Sequence, residues 1–100
     1  MKTIFKEENN DFVMYLSGRL DTATSPDVEK DMQVLMDCEG HDIILDCTDL
    51  EYISSSGLRL FLNVLKNAKS KGSHVYIRGV NADINKVFAM TGFSNLFEFK

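Results

Sequence analysis

The chain has 100 residues, which at about 100–150 residues per domain leaves room for one domain. Its composition, 44% hydrophobic and 26% charged with six glycines and one proline, is that of a folded globular domain and excludes disordered or collagen-like classes. A net charge of −4 without any basic cluster argues against nucleic-acid binding, and no apolar run approaches the roughly 20 residues that a membrane span requires.

The first residues, MKTIFKEENN, turn acidic before a signal-peptide core can form, so a cytoplasmic location is expected. Cys38 and Cys47 have no CxxC spacing and no accompanying histidine pattern, and they read as small core hydrophobes rather than as a disulfide.

Residues 2–7 and 12–17 are apolar or aromatic runs on either side of Glu8, Asn9, Asn10 and Asp11, which predicts a hairpin. The second run sets Phe12, Met14 and Leu16 on one face and Val13 and Tyr15 on the other, as in a central strand. A helix is expected after Gly18-Arg19-Leu20-Asp21, with Ser25 as its cap, Pro26 in its first turn and Asp27 complementing the macrodipole. Val28, Met32, Leu35 and Met36 would form its inner face and Gly40 its stop. Ile43, Ile44 and Leu45 read as a strand buried on both faces, and the polar stretch between Asp46 and Ile53 reads as a connecting loop.

From Leu58 onward, Phe61, Leu62, Leu65 and Ala68 continue an apolar stripe that ends among Lys66, Lys69, Lys71 and Gly72, the strongest helical signal in the chain. His74-Val75-Tyr76-Ile77 is a strand, Asn81 caps a third helix that runs to Gly92, and Leu96-Phe97-Glu98-Phe99 ends the chain as a short strand. Phe93, Leu96, Phe97 and Phe99, with Met14, Met32, Met36 and Met90, are expected to fill the core. The order predicts an α/β domain in which an N-terminal β-hairpin leads into a mainly parallel sheet of four to five strands, with three helices largely on one face. Sites in such sheets lie at the rim where the parallel strands end.

Ile53-Ser54-Ser55-Ser56-Gly57-Leu58 stands out because one capping serine, Ser54 or Ser55, satisfies a helix start and three hydroxyls exceed that need. The others fall in the first turn, where free amides favour an anion, and Gly57 would let a partner or a phosphate approach the backbone. The plain alternative is a serine-rich helix start.

The run from Asp46 to Leu58, D-C-T-D-L-E-Y-I-S-S-S-G-L, together with the upstream G-R-L-D at Gly18 to Asp21, resembles the STAS domain of bacterial anti-sigma factor antagonists over nearly the whole chain. The resemblance implies that Ser56, directly before the Gly-Leu pair, is phosphorylated by a partner that is both anti-sigma factor and serine kinase of the histidine-kinase-like fold. It further implies a partner surface of Asp21, Ser54, Ser55, Ser56, Gly57, Leu58 and Arg59, with a phosphatase as a further partner that would restore the free serine. By the strand assignments above, Asp46 and Asp49 flank the same rim. No cofactor is implied, because ATP belongs to the kinase. Where the family usually has Asp-Ser-Ser-Gly or Asp-Ser-Thr-Gly, this chain has Ser54 in place of the aspartate, which keeps a non-switching STAS interaction module as the alternative.

A hydrolytic triad from a serine, His41 or His74, and Asp21, Asp46 or Asp49 has the right residue types but lacks a G-x-S-x-G elbow. Metal binding by Asp46 and Asp49 lacks a His or Cys to complete a ligand set.

Overall fold

β1 (Lys2–Glu8) and β2 (Asp11–Leu20) pair antiparallel through a two-residue turn. Asn9 and Asn10 there take φ of 51° and 69°, the left-handed pair that matches the twist of a tight hairpin and that asparagine tolerates. The computed structural model describes all of residues 1–100.

The sheet continues with β3 (Ile43–Ile53), β4 (Val75–Arg78) and β5 (Glu98–Phe99), each parallel to its neighbour, in the spatial order β1-β2-β3-β4-β5. Strands therefore add in sequence order, and β2 is central as its two-faced pattern predicts. The stretch from Asp46 to Ile53 is strand, not loop, and β3 is the longest strand of the sheet. Its polar residues lie where β3 runs on past the end of β4: Thr48, Asp49, Glu51 and Tyr52 are exposed, while Leu50 and Ile53 enter the core. Two irregularities in the β2–β3 register, one beside Gly18 at φ 99°, carry both strands past the end of β4.

Helix α1 (Ser25–Asp31) is shorter than the sequence predicts, because Met32–Leu35 winds as a tighter 3-10 segment and no helix reaches Gly40. Val28, Met32 and Leu35 are buried as expected, whereas Met36 is only half-buried. Cys38 explains the departure. It is fully buried in the irregular segment that follows, and its carbonyl accepts from Ser73 Oγ at 2.9 Å and from the His41 N–H at 2.9 Å, a position that continuing the helix would not give. Helices α2 (Ser55–Ser70) and α3 (Ala82–Thr91) match the sequence signals, and Asn81 caps α3 by accepting from the Ile84 N–H at 2.8 Å.

All three helices cover one face of the sheet. Met14, Leu16, Ile43, Leu45, Val75 and Ile77 meet the inner residues of α1, α2 and α3 in a single apolar cluster. Phe93 and Phe97 join that core, but Leu96 and Phe99 are exposed, and Met90, expected inside, is the most exposed large hydrophobic side chain at 87%.

No helix covers the opposite face, yet Val13 and Ile44 on it are buried. Long side chains do the covering. All three tyrosines carry a cation over the ring: Lys6 and Arg78 over Tyr15, Arg19 over Tyr52 and Lys100 over Tyr76. At the centre of this face Asp46 accepts from Arg78 Nε at 2.8 Å and from the Thr48 N–H at 3.0 Å. Burial alone would push its carboxyl up; those hydrogen bonds and the guanidinium charge outweigh burial and hold it below the usual carboxylate range.

Candidate functional site

β2 and β3 end side by side at Leu20 and Ile53, and the Ser54 N–H donates to the Leu20 carbonyl at 2.8 Å. Beyond this clamp the two chains part, one into the turn that opens α1 and the other into α2, so both helices start from the same rim.

Asp21 organises the first branch. Its Oδ1 accepts from the Thr24 N–H at 3.0 Å while Thr24 Oγ1 accepts from the Asp21 N–H at 3.0 Å, a reciprocal pair that closes the turn. Ser25, expected as the cap, is instead the first helical residue, and its buried hydroxyl donates to the Asp21 carbonyl at 2.7 Å. The Thr24 N–H is the main reason the Asp21 carboxyl stays below its ordinary range. Partial desolvation opposes it, and the Thr24 hydroxyl, the Ala23 N–H and the Arg19 charge add to it.

Ser54 caps α2, with extended backbone (φ −93°, ψ 175°) and its hydroxyl accepting from the Gly57 N–H at 3.3 Å. That leaves Ser55 exposed and Ser56 half-buried in the first turn. Gly57 does not open the backbone to a ligand as expected. It is buried, and a Cβ there would stand 2.7 Å from Leu20 Cγ and 2.8 Å from Ile53 Cγ1, so the glycine lets α2 sit down on the strand ends. Leu58 is also interior. Of the seven residues expected at a partner surface, Asp21, Ser54, Ser55, Ser56 and Arg59 therefore reach solvent, and Gly57 and Leu58 support them from below.

The rim faces a groove between α1 and α2, with a volume of about 280 Å³, whose walls include Thr22, Pro26 and Glu29 on one side and Ser56, Arg59 and Asn63 on the other. Sequence reasoning missed Thr22, Glu29 and Asn63. Each is an ordinary exposed polar residue in the sequence, and only the packing of α1 against α2 brings them opposite Ser56.

Asp46 and Asp49 do not flank this rim. They lie along β3 on the helix-free face, beside Lys2, Lys6 and Tyr15, and Asp46 is committed to Arg78. The misplacement follows from reading this stretch as a loop, which would have carried both to the strand end; in the strand, the irregularity between the Tyr15–Asp46 and Ser17–Asp49 pairs leaves both aspartates on one face. The histidines sit at the other end of the sheet, His41 Nδ1 2.7 Å from the Asn10 carbonyl and His74 Nδ1 2.8 Å from Glu98 Oε2, so no triad assembles around Ser56. Cys38 and Cys47 are both free and buried, and burial, with the Asp46 charge, pushes the Cys47 thiol far up. No cluster of three His, Cys, Asp or Glu side chains has metal-binding geometry, and no helix is long and apolar enough to cross a membrane.

Known proteins resemble the chain throughout. An anti-sigma-B factor antagonist of Staphylococcus epidermidis is 35% identical over 82 residues, covering 81% of this chain and 75% of the relative. Among solved structures, an anti-sigma-factor antagonist (STAS) domain protein from Planctomyces limnophilus superposes with a TM-score of 0.89 at 14% identity, covering 98% of this chain and 87% of that one. The Bacillus cell fate determinant SpoIIAA in its phosphorylated form superposes with a TM-score of 0.74 at 17% identity, covering 99% and 91%. At identities this low the superpositions show the fold alone. The family model of the STAS domain matches residues 3–100, and with that match the chain belongs to the STAS domain family.

Proposed function

We propose that the chain is an anti-sigma factor antagonist, a binding protein rather than an enzyme, which captures an anti-sigma factor through the rim around Ser56. The anti-sigma factor is a serine kinase of the histidine-kinase-like fold, and phosphorylation of Ser56 releases it; a phosphatase resets the serine. The observation that carries this reading is Ser56 itself: half-exposed in the first turn of α2, facing a groove, with its hydroxyl in no hydrogen bond, on a helix fixed from beneath by Gly57. The names of the similar antagonists and the phosphorylated SpoIIAA structure support it.

The switch is electrostatic. A phosphoserine adds about −1.5 to −2 charges, and a site that is half-exposed takes them without disturbing the core. At an interface the same charge costs desolvation and repels acidic groups that the partner brings against it. A loss of about 3 kcal/mol weakens binding more than a hundredfold.

A second reading, a STAS module that binds partners without being phosphorylated, is favoured by Ser54, which stands where an aspartate is usual and here serves as the helix cap. The test is incubation with histidine-kinase-like anti-sigma factors and ATP, followed by intact-mass measurement and site mapping beside Ser56→Ala. One phosphate that maps to Ser56 and is absent from the variant supports the switch. Stable binding with no phosphate on Ser54, Ser55 or Ser56 selects the second reading.

A further inference from the structure

The groove between α1 and α2 is lined by Thr22, Glu29, Ser56, Arg59 and Asn63, and none of these side chains makes a hydrogen bond or ion pair within the protein. Their neighbours contrast with this: the hydroxyls of Thr24, Ser25 and Ser54 are all engaged in holding the two helix starts. Of the three arginines, Arg78 is paired with Asp46 and Arg19 is stacked over Tyr52, whereas Arg59 is exposed, has no partner and is the single cation of the groove.

From this arrangement we infer that Arg59 is the residue that holds a phosphoryl group on Ser56, in cis, across from Glu29. Ser56 and Arg59 are three positions apart on α2 and therefore share a helix face, with their Cα atoms separated by about 4.5 Å along the axis. Helical side chains lean toward the N-terminus, so the long stem of Arg59 lies back over the turn that carries Ser56. Its planar guanidinium matches two phosphate oxygens at once. Glu29 on α1 competes for the same guanidinium, but a single carboxylate is weaker than a phosphate of nearly two charges.

The consequence deepens the proposed switch and rests on Ser56 being the modified residue. Phosphorylation would change the rim twice, by adding a dianion and by withdrawing the groove's one free cation from any partner carboxylate. It also assigns Glu29 a role, as the group that opposes the phosphate from the facing helix.

The test needs no kinase. Phosphoserine is placed at position 56 during synthesis with a phosphoserine-specific suppressor tRNA, and its ionisation is followed by phosphorus NMR around its usual pKa of about 6. The wild-type chain is compared with Arg59→Gln, Arg59→Lys and Glu29→Gln, and circular dichroism verifies the fold of each. Arg59→Gln is expected to raise the midpoint by about 0.5 pH unit, roughly a threefold change in proton affinity. Arg59→Lys should fall between the two, and Glu29→Gln should lower the midpoint. An Arg59→Gln midpoint within about 0.1 unit of wild type, well inside the shift expected for a paired charge, overturns the assignment. Because the phosphate is built in, failure of every kinase to modify Ser56 would sink the switch while leaving this readout intact.

Discussion

Gly57 lies directly against Leu20, so closely that a Cβ on the glycine would sit 2.7 Å from Leu20 Cγ. This contact joins the last residue of β2 to the first turn of α2 and sets the height of Ser56 above the sheet. Leu20 is fully buried and cannot retreat without displacing other core atoms. Gly57→Ala should therefore destabilise the fold by about 1–3 kcal/mol despite alanine's better helix propensity. It should also weaken partner binding by shifting Ser56. Urea unfolding and a binding titration of the same variant check both, and an alanine variant as stable as wild type would contradict the contact.

Ser54 offers the converse case, a cap that a different residue can improve. Its hydroxyl accepts from the Gly57 N–H at 3.3 Å, a long hydrogen bond. Ser54→Ala should cost about 1 kcal/mol, and Ser54→Asp should match or exceed wild type by a few tenths of a kcal/mol, because a carboxylate caps equally well and meets the positive end of α2. Thermal midpoints of the two variants decide this. If the aspartate variant also gains phosphorylation by a kinase that ignores the wild type, Ser54 is what makes this chain a poor substrate.

Most of this fold is legible in the sequence, because α2, α3 and the hairpin carry complete local signals: an apolar stripe with a capping serine, an asparagine cap with a glycine stop, and two asparagines between alternating runs. β3 is not, because Thr48, Asp49, Glu51 and Tyr52 look like loop chemistry until the sheet shows β3 running on beside β2 past the end of β4. Ser56 and Asp21 could be found by motif. The groove walls Glu29 and Asn63 could not, since nothing local distinguishes them from any solvated helical residue. Gly57 shows a subtler failure. A glycine in a functional motif invites a functional explanation, and here its reason is the steric demand of Leu20 and Ile53.

Ser56 itself should be nearly silent in stability. Its hydroxyl has no internal partner and its side chain is only half-buried, so Ser56→Ala and Ser56→Glu should each shift unfolding free energy by no more than about 0.5 kcal/mol. Any loss of binding in these variants then reports on the interface and not on the fold. Differential scanning fluorimetry beside the binding assay separates the two, and a large drop in midpoint for Ser56→Glu would mean that the added charge disturbs the start of α2.

The Asp46–Arg78 pair on the helix-free face predicts how the fold responds to acid. Asp46 is almost buried, and its hydrogen bonds from the Thr48 N–H and Arg78 hold its carboxyl below the value of an unfolded aspartate, about 3.9. The folded state therefore binds this proton less readily than the unfolded state. The resulting stabilisation is fully present above about pH 4 and is lost as the pH falls through the lower folded-state value. Urea midpoints measured down this range should fall for wild type and fall less steeply for Asp46→Asn. Arg78→Gln should likewise flatten the acid limb. With the guanidinium gone, the burial that already opposes ionisation becomes dominant and the carboxyl rises toward or above the unfolded value, so the folded state no longer gives up this proton more readily than the unfolded chain and acidification removes less stability. At neutral pH Arg78→Gln should cost about 2 kcal/mol, less than for a fully buried pair because the arginine is one-third exposed. An Arg78→Gln variant with wild-type stability at neutral pH and an unchanged acid limb would show that the Thr48 N–H alone holds the carboxylate.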